Sequence, residues 1–133
     1  MPQPLALNPA GLPKLPGVIS HGVALAQLGL VYTSGQVAWD ENGELVGRGD
    51  FAAQFTKAYQ NVDLVLAAAG SARERIVKET IYVVGYRTEN ADELVGLIAA
   101  SRTSTAPPAS TCVGVETLYA EGFLVEIEVV ATL

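Results

Sequence analysis

The fold is decided near the carboxyl end, by Pro107-Pro108-Ala109-Ser110-Thr111-Cys112-Val113-Gly114-Val115 and then Phe123-Leu124-Val125-Glu126-Ile127-Glu128-Val129-Val130-Ala131. Successive side chains of a strand point to opposite faces, so Val125, Ile127 and Val129 share one face. Glu126 and Glu128 share the other face. Carboxylates are rarely buried without a partner, so this second face is not an ordinary apolar core. The stretch therefore predicts two strands, of which the last has one apolar and one acidic face.

Length and composition predict a single domain over residues 1–133. The chain has 133 residues, half of them apolar, and this is the usual size of one domain. No apolar run approaches the roughly 20 residues that cross a bilayer, and the Pro-rich start does not resemble an export signal. We therefore expect a soluble cytoplasmic protein without a membrane partner. The single cysteine, Cys112, cannot form an internal disulfide, and we expect it to be a small buried residue.

The charge argues against a nucleic-acid partner. The formal net charge is −6, and the chain has only eight lysines and arginines. Arg73, Arg75 and Lys78 form the one local basic cluster, and Glu74 and Glu79 dilute it. An extended phosphate-binding surface is therefore not expected.

The first third of the chain predicts an extended arm followed by a hairpin. Five prolines between residues 2 and 17 make a regular strand or helix unexpected there, so residues 1–17 are assigned to an N-terminal arm. Residues 18–26 and 30–38 are rich in apolar and β-branched residues and flank a turn at residues 27–29. Asn42-Gly43 predicts a second tight turn, with a short strand at Leu45-Val46 after it.

Two helices are predicted from apolar spacing and capping residues. Asp50 stands at an N-cap position before residues with helical periodicity, and Gly70 is a suitable end. Asn90 and Glu93 have the spacing of a capping box and open a second helix that runs to about Arg102.

The order of elements predicts an α+β fold. Residues 76–84 are predicted as a strand between the two helices, and Pro107-Pro108 starts the last two strands. A six-stranded mixed sheet with both helices packed on one face accommodates this order.

Three segments resemble the RidA (YjgF-like, reactive intermediate deaminase) family. They are Ser34-Gly35-Gln36, Pro108 to Cys112 and Val125-Glu126-Ile127-Glu128, against the family patterns S-G-Q, P-x-R-S/T and V-E-I-E-A-x-A. The resemblance implies a chorismate-mutase-like fold and a homotrimer whose sheets pack into a barrel, with small-molecule pockets in the clefts between subunits. It also implies hydrolysis of enamines and imines such as 2-aminoacrylate to a ketoacid and ammonia. Neither a metal nor a cofactor is implied.

The same resemblance assigns candidate site residues. Glu126 takes the position that holds the hydrolytic water or shuttles protons; alternatively, it and Glu128 lie on a solvated face or line the polar centre of a trimer. Ser34 takes a position near the substrate amine; the alternative is that a neighbouring strand satisfies its hydroxyl. Gly35 permits close approach of the backbone.

The pattern departs from the family at the carboxylate-binding arginine. Ser110 stands in its place, and a serine cannot supply the planar, charged fork that binds a carboxylate bidentately. Main-chain N–H groups from Ser110 through Thr111 to Cys112 can still bind an oxygen. We therefore identify the chain as an atypical member of the family.

Other candidates lie outside these segments. Ile19 takes a position where many relatives carry a tyrosine that closes the pocket. Arg87 and Arg102 lie near helix ends and are expected to be exposed cations that complement the helix or a carboxylate. His21, the single histidine, is expected to be structural, because a metal site with paired imidazoles is excluded. Trp39 could line a ligand pocket, but a tryptophan at a strand end is more often a packing or subunit-contact residue, and we take it as an interface candidate.

Three functions follow from these observations. The first is a divergent hydrolase or deaminase-like enzyme, acting on a neutral or differently charged small metabolite with Glu126 as acid and base. The second is a noncatalytic ligand-binding or regulatory trimer that uses the same clefts. The third is an enamine/imine deaminase of the 2-iminobutanoate/2-iminopropanoate type with weak activity.

Overall fold

The computed structural model describes residues 3–103 and 106–133, which contain six strands and two α-helices. The elements are β1 Leu5–Leu7, β2 Gly22–Leu25, β3 Leu30–Thr33, α1 Phe51–Ala68, β4 Ile76–Val84, α2 Ala91–Ser101, β5 Ala109–Val115 and β6 Val125–Thr132. The strands form one sheet in the order β1-β2-β3-β6-β4-β5. The pair β4–β5 is parallel and every other pair is antiparallel. The predicted α+β architecture is confirmed.

The core lies between α1 and one face of the sheet. On α1 the buried Phe55, Tyr59, Val62 and Leu66 recur at intervals of four, three and four residues, which places them on one side of the helix. They meet the apolar face of β6, where alternate residues from Val125 onward are buried. Each such side chain contributes about 1.5–3 kcal/mol when fully buried. The other face of the sheet carries no helix among the described residues.

Both predicted helices are present, but only the first has the predicted cap. The Asp50 carboxylate accepts a hydrogen bond from the Ala53 N–H at 3.0 Å, and Gly70 ends the helical segment with a positive φ of 75°. The capping box at α2 is wrong. Asn90 already has helical backbone angles, because a 3₁₀ turn over Thr88–Asn90 leads into the helix, and its side chain caps nothing.

The N-terminal predictions need three corrections. A strand, Leu5–Leu7, interrupts the predicted arm, because the residues between Pro4 and Pro9 keep their N–H groups and pair with β2. The hairpin is confirmed with shorter strands. Leu45-Val46 forms only an isolated bridge, from Leu45 to Trp39, rather than a strand. Residues 1 and 2 of the predicted arm lie outside the described residues.

Candidate functional site

A β-bulge follows β3 and forms the first part of the site. Tyr32 lies opposite Val130 and Gln36 lies opposite Ile127, so four steps on one strand match three on the other. The extra residue falls at Ser34-Gly35, where the regular ladder is interrupted. The Thr33 side chain accepts a hydrogen bond from the Val129 N–H at 3.0 Å and so satisfies a donor that the bulge leaves free.

Glu126 packs directly against this bulge. A methyl group built on Gly35 would lie 2.6 Å from the carboxyl carbon of Glu126, closer than real Cβ contacts. Glycine at position 35 therefore makes room for the carboxylate of the same chain. The sequence predicted close backbone approach at Gly35, and the structure identifies Glu126 as the group that makes it.

The two glutamates of β6 lie on the face opposite the helices and have different surroundings. Glu128 accepts a hydrogen bond from the Tyr82 hydroxyl, and this bond raises the pKa of Tyr82 to about 12. Glu126 is half-buried and receives no hydrogen bond from any described residue. Desolvation and the neighbouring charge of Glu128 raise the pKa of Glu126 above its ordinary value. Glu126 is thus the member of the pair that is free to exchange a proton.

The Ser34 hydroxyl is already engaged. It donates to the Ser20 carbonyl at 2.6 Å, while the Ser34 N–H donates to the His21 carbonyl at 2.8 Å. The hydroxyl thus has a partner within the chain, as the alternative above expected, but Ser20 lies in the loop before β2 rather than in a strand. The oxygen can still accept a hydrogen bond from a ligand.

Ser110 belongs to a separate cluster on the helix side of the sheet. It pairs in register with Glu79 of β4, and its hydroxyl donates to Glu79 Oε2 at 2.6 Å. Arg102 donates from Nη1 to Oε1 at 2.9 Å and from Nη2 to Oε2 at 2.5 Å. The Tyr59 hydroxyl also donates to Oε1, at 2.6 Å. We refer to Glu79, Arg102, Tyr59 and Ser110 as the Glu79 cluster.

Glu79 is ionised despite complete burial. Burial by itself raises the pKa of this carboxyl, but hydrogen bonds from Arg102, Ser110 and Tyr59 outweigh that effect and hold the pKa below its ordinary value. The bond to Glu79 also raises the pKa of Arg102. Arg102 is therefore partly buried in an ion pair. The expected pairing with a carboxylate is present, but the expected exposure is wrong for Arg102. Arg87, which pairs with Glu89 on the surface, is exposed as expected.

The predicted site residues fall into two groups within one chain. Side chains of residues paired across strands share a face, so Glu126 lies on the face of its partner Tyr82. Thr111 lies on this open face too, where its hydroxyl accepts a hydrogen bond from Lys78 at 2.6 Å. Ser110 and Cys112 point to the helix side.

Two further candidates are exposed in the chain. Cys112 lies on β5, an edge strand, so the expectation that it is buried is wrong for the chain itself. Partial desolvation raises the pKa of its thiol, which argues against an activated thiolate. Ile19, in the loop before β2, is 37% exposed.

His21 and Trp39 belong to a buried hydrogen-bonded chain. Trp39 Nε1 donates to Gln36 Oε1 at 3.2 Å, and Gln36 Nε2 donates to His21 Nδ1 at 3.0 Å. Since Nδ1 accepts, Nε2 carries the proton and donates to the Pro13 carbonyl at 2.6 Å. The ring of Trp39 also packs edge-on against His21 and against Phe123. The structural role expected for His21 is confirmed, whereas Trp39, an interface candidate by its sequence, is almost fully buried within the chain itself.

Sequence reasoning missed Glu79 as a central residue, although a signal was present. Glu79 alternates with Ile81 and Val83 along the predicted strand, so period-two spacing places a carboxylate on the core face. A buried carboxylate requires donors, but the sequence does not say which distant side chains supply them.

The described residues contain neither a metal-binding group nor a membrane-spanning helix. Across residues 3–103 and 106–133, no group of histidine, cysteine, aspartate and glutamate side chains is arranged to hold a metal ion. No helix in these two ranges has the length and apolar character needed to cross a bilayer.

The sheet, its two one-sided helices and the bulge beside the acidic strand define the α+β class of chorismate-mutase-like single-sheet proteins. The family model described as "Endoribonuclease L-PSP" matches residues 17–133. The chain belongs to this family, the RidA/YjgF family.

Curated relatives cover most of the chain. The mitochondrial protein MMF1 of Saccharomyces cerevisiae is 30% identical over 116 residues, which are 87% of this chain and 77% of the relative. A RutC family protein of Synechocystis is 33% identical over 115 residues, which are 85% of each chain.

Solved structures share the whole fold. YyfA of Yersinia pestis, a Rid family protein of unknown function, has a TM-score of 0.85 at 30% identity and covers 98% of this chain and 100% of its own. RidA from the Antarctic bacterium Psychrobacter has a TM-score of 0.82 at 28% identity, with coverage of 97% and 99%.

Proposed function

We propose that this chain is a divergent RidA-family hydrolase that converts a small imine or enamine to a carbonyl compound and an amine or ammonia. Its pockets lie in clefts between three copies, and it needs no metal or cofactor. The observation that carries the proposal is the Glu126 carboxylate, which is half-buried, free of hydrogen bonds from described residues and held against Gly35. The proposal keeps the predicted cytoplasmic location, although the matching yeast relative is named mitochondrial.

The surroundings of Glu126 suit a general acid and base. A group that transfers protons near neutral pH works best when its pKa lies closer to neutrality than that of a free carboxyl. Desolvation and Glu128 move the pKa of Glu126 in that direction. Glu128, whose oxygen is occupied by Tyr82, is the less available of the two.

The proposed chemistry needs one water molecule. Glu126 accepts a proton from the water as the water oxygen attacks the imine carbon, and it passes that proton to the nitrogen to give a carbinolamine. Glu126 then accepts the proton of the carbinolamine hydroxyl and delivers it to the nitrogen as the C–N bond breaks, so that the carbonyl compound and the amine leave and Glu126 is again a carboxylate. Atoms balance, since C=N and H₂O become C=O and N–H₂.

Clefts between copies account for the division of the candidate residues. Glu126 lies on the open face, whereas Ser110 and Cys112 lie on the helix side of the edge strand. One ligand cannot contact both groups through the sheet of a single chain. A cleft in which the open face of one copy meets the β5 edge of another would unite them, which supports the predicted homotrimer.

A noncatalytic ligand-binding trimer is the second candidate. The observation in its favour is that the Ser34 and Ser110 hydroxyls both donate within the chain, so that two of the predicted substrate contacts are engaged already. A deaminase for imino acids is a weaker candidate. Arg102 does reach the Ser110 position, but Glu79 already balances its charge. The charge of −6 disfavours RNA cleavage.

Two series of imines, generated in situ, test the proposal. An amine oxidase yields imines without a carboxylate, and an amino-acid oxidase yields their acid counterparts. Trapping with semicarbazide measures the fraction that escapes hydrolysis. We expect the protein to accelerate hydrolysis of at least one imine without a carboxylate, and Glu126→Gln to reduce that acceleration about 100-fold or more.

Glu128→Gln is the matched control, because it removes an equal charge from the same strand face. It should retain activity within about threefold of the natural protein. Equal activity in the natural protein and Glu126→Gln would remove the acid–base role. Ligand binding without turnover would favour the binding trimer.

A further inference from the structure

The Glu79 carboxylate is bound within the chain as a carboxylate ligand is bound in a recognition site. Its two oxygens accept four hydrogen bonds, two from the Arg102 fork, one from Tyr59 and one from Ser110. A bidentate guanidinium with hydroxyl donors beside it is the usual protein arrangement for this anion. Glu79 itself is completely buried.

Two of the three donor residues of this cluster, Arg102 and Ser110, lie at the surface, whereas Tyr59 donates from the buried side of α1. Arg102 follows the last residue of α2 and retains 19% of its side-chain exposure, while Ser110 is exposed on the edge strand. Arg102 also lines a shallow surface depression beside Pro107 and Pro108. The carboxylate therefore belongs to a buried residue of the sheet, while two of its donors, Arg102 and Ser110, face a region that solvent reaches.

We propose that Glu79 is a built-in occupant of an anion site formed by Arg102, Ser110 and Tyr59, and that it thereby selects against ligands that carry a carboxylate. Position 79 is the specificity-determining residue in this view. This inference rests on the proposed function, because the ligands selected are the substrates of the proposed hydrolase. It narrows the substrate class to small imines or enamines without a free acid group.

The guanidinium of Arg73, which lies over the ring of Tyr59, is also paired with a carboxylate of the same chain. Arg73 donates to both oxygens of Asp63 and to the Ser101 carbonyl. Near the Glu79 cluster, the structure thus shows two guanidinium groups, each with a carboxylate of the same chain. An acid ligand arriving here would have to displace one of them.

The first test removes the occupant and supplies it again. Glu79→Ala deletes a CH₂–COO⁻ group, whose free equivalent is acetate. We expect acetate to bind Glu79→Ala. At an acetate concentration roughly 100 times its dissociation constant, the unfolding midpoint of the variant should rise by about 5 °C or more. Acetamide, which has the same shape without the charge, should leave the midpoint unchanged, as should acetate with the natural protein.

Two controls separate this site from a general effect of charge. Adding Arg102→Met to Glu79→Ala should abolish the acetate effect. Asp63→Ala frees Arg73 in the same manner, but the Asp63 side chain is 40% exposed and leaves no enclosed site. It should show no acetate effect. The anion site would be refuted if acetate raised the unfolding midpoints of Asp63→Ala and Glu79→Ala equally. It would also be refuted if acetate did not raise the midpoint of a folded Glu79→Ala.

The second test concerns selection and uses Glu79→Gln, which keeps the volume of the side chain. Pyruvate and pyruvamide serve as stable probes of the product side, and titration calorimetry reads binding without turnover. In the natural protein we expect pyruvamide to bind at least as tightly as pyruvate. In Glu79→Gln the affinity for pyruvate should rise about tenfold relative to pyruvamide.

Tighter binding of pyruvate than of pyruvamide by the natural protein would refute the selection, as would an unchanged ratio in Glu79→Gln. If Glu79→Ala fails to fold, the binding measurements on Glu79→Gln still test whether Glu79 selects against carboxylates. The proposed hydrolase can fail independently, because its test is loss of turnover in Glu126→Gln, whereas these measurements follow only binding.

Discussion

The carboxylate of Glu126 occupies the space that a side chain at Gly35 would fill. The backbone of Gly35 does not have a positive φ, so the requirement for glycine here comes from the neighbouring carboxylate rather than from backbone strain. The bulge after β3 and the acidic strand β6 therefore depend on each other.

Gly35→Ala should displace the Glu126 carboxylate and reduce turnover about tenfold or more, since a 1 Å misplacement of a reacting group can cost up to about 100-fold. Gly96→Ala is the control, because nothing lies within 4 Å of the corresponding position on α2. It should stabilise the helix by about 0.5–1 kcal/mol and leave turnover unchanged. Unimpaired turnover in Gly35→Ala would show that the position of Glu126 is not critical.

Arg102→Met should lower the free energy of unfolding by about 3 kcal/mol at pH 7, because it leaves a buried carboxylate without its cation. Urea denaturation measures this loss. Arg87→Met removes an arginine whose ion pair is exposed and should cost less than about 0.5 kcal/mol. A similar small loss in Arg102→Met would contradict the ionised state assigned to Glu79.

The same variant should reverse the acid dependence of stability. In the natural protein the folded-state pKa of Glu79 lies below the unfolded value, so its contribution is present above about pH 4.3 and is lost as pH falls through the folded value. Without Arg102, burial dominates and raises that pKa. Glu79 then destabilises the variant at neutral pH, and acidification toward pH 5 should recover stability. Denaturation curves between pH 4 and 8 distinguish the two slopes.

Asn61→Ala should destabilise the fold by about 2 kcal/mol, since buried polar groups left unpaired cost about 1–3 kcal/mol. Asn61 Nδ2 donates to the carbonyls of Val37 and Trp39, both at 2.9 Å. Asn61→Asp should also be destabilising, because it brings carboxylate oxygens toward these two carbonyls. Guanidinium denaturation with an unchanged m-value would measure both effects. A loss of unfolding free energy below about 0.5 kcal/mol in Asn61→Ala would show that these two hydrogen bonds do not stabilise the fold.

Glu126→Gln should stabilise the protein at pH 7. The folded-state pKa of Glu126 is raised, so its ionised form opposes folding above that pKa, and the penalty disappears as pH falls toward the unfolded value. The gain over the natural protein should therefore shrink between pH 7 and pH 4. Glu128→Gln should show no comparable gain, because it loses the bond from Tyr82. All measurements use one fixed protein concentration, so that the degree of assembly stays constant. Lower stability of Glu126→Gln than of the natural protein at pH 7 would contradict the raised pKa of Glu126.

Local patterns accounted for most of the fold. Asp50 caps α1 through a residue only three positions away, and the alternation in β6 is visible within five residues. These interactions depend on neighbours along the chain, so periodicity and capping rules predict them. The short strand β1 escaped prediction because its formation depends on the distant strand β2 rather than on its own proline-rich surroundings.

The site was only partly predictable, for the same physical reason. The segments around Gly35 and Glu126 were found by their resemblance to a family, and the structure brings them into contact. The partners of Glu79 lie 20, 23 and 31 residues away in sequence, at Tyr59, Arg102 and Ser110. Only the crossing of a helix, a helix end and an edge strand brings those donors to one carboxylate.

Trp39 is the single tryptophan of the chain and is buried between His21 and Phe123. Its indole donates a hydrogen bond to Gln36, which follows the bulge after β3, and packs against Phe123 in the loop that precedes β6. The intrinsic fluorescence of the protein at long excitation wavelengths thus comes from one fluorophore at the junction of these segments. A red shift of its emission would report the opening of that junction without any attached dye.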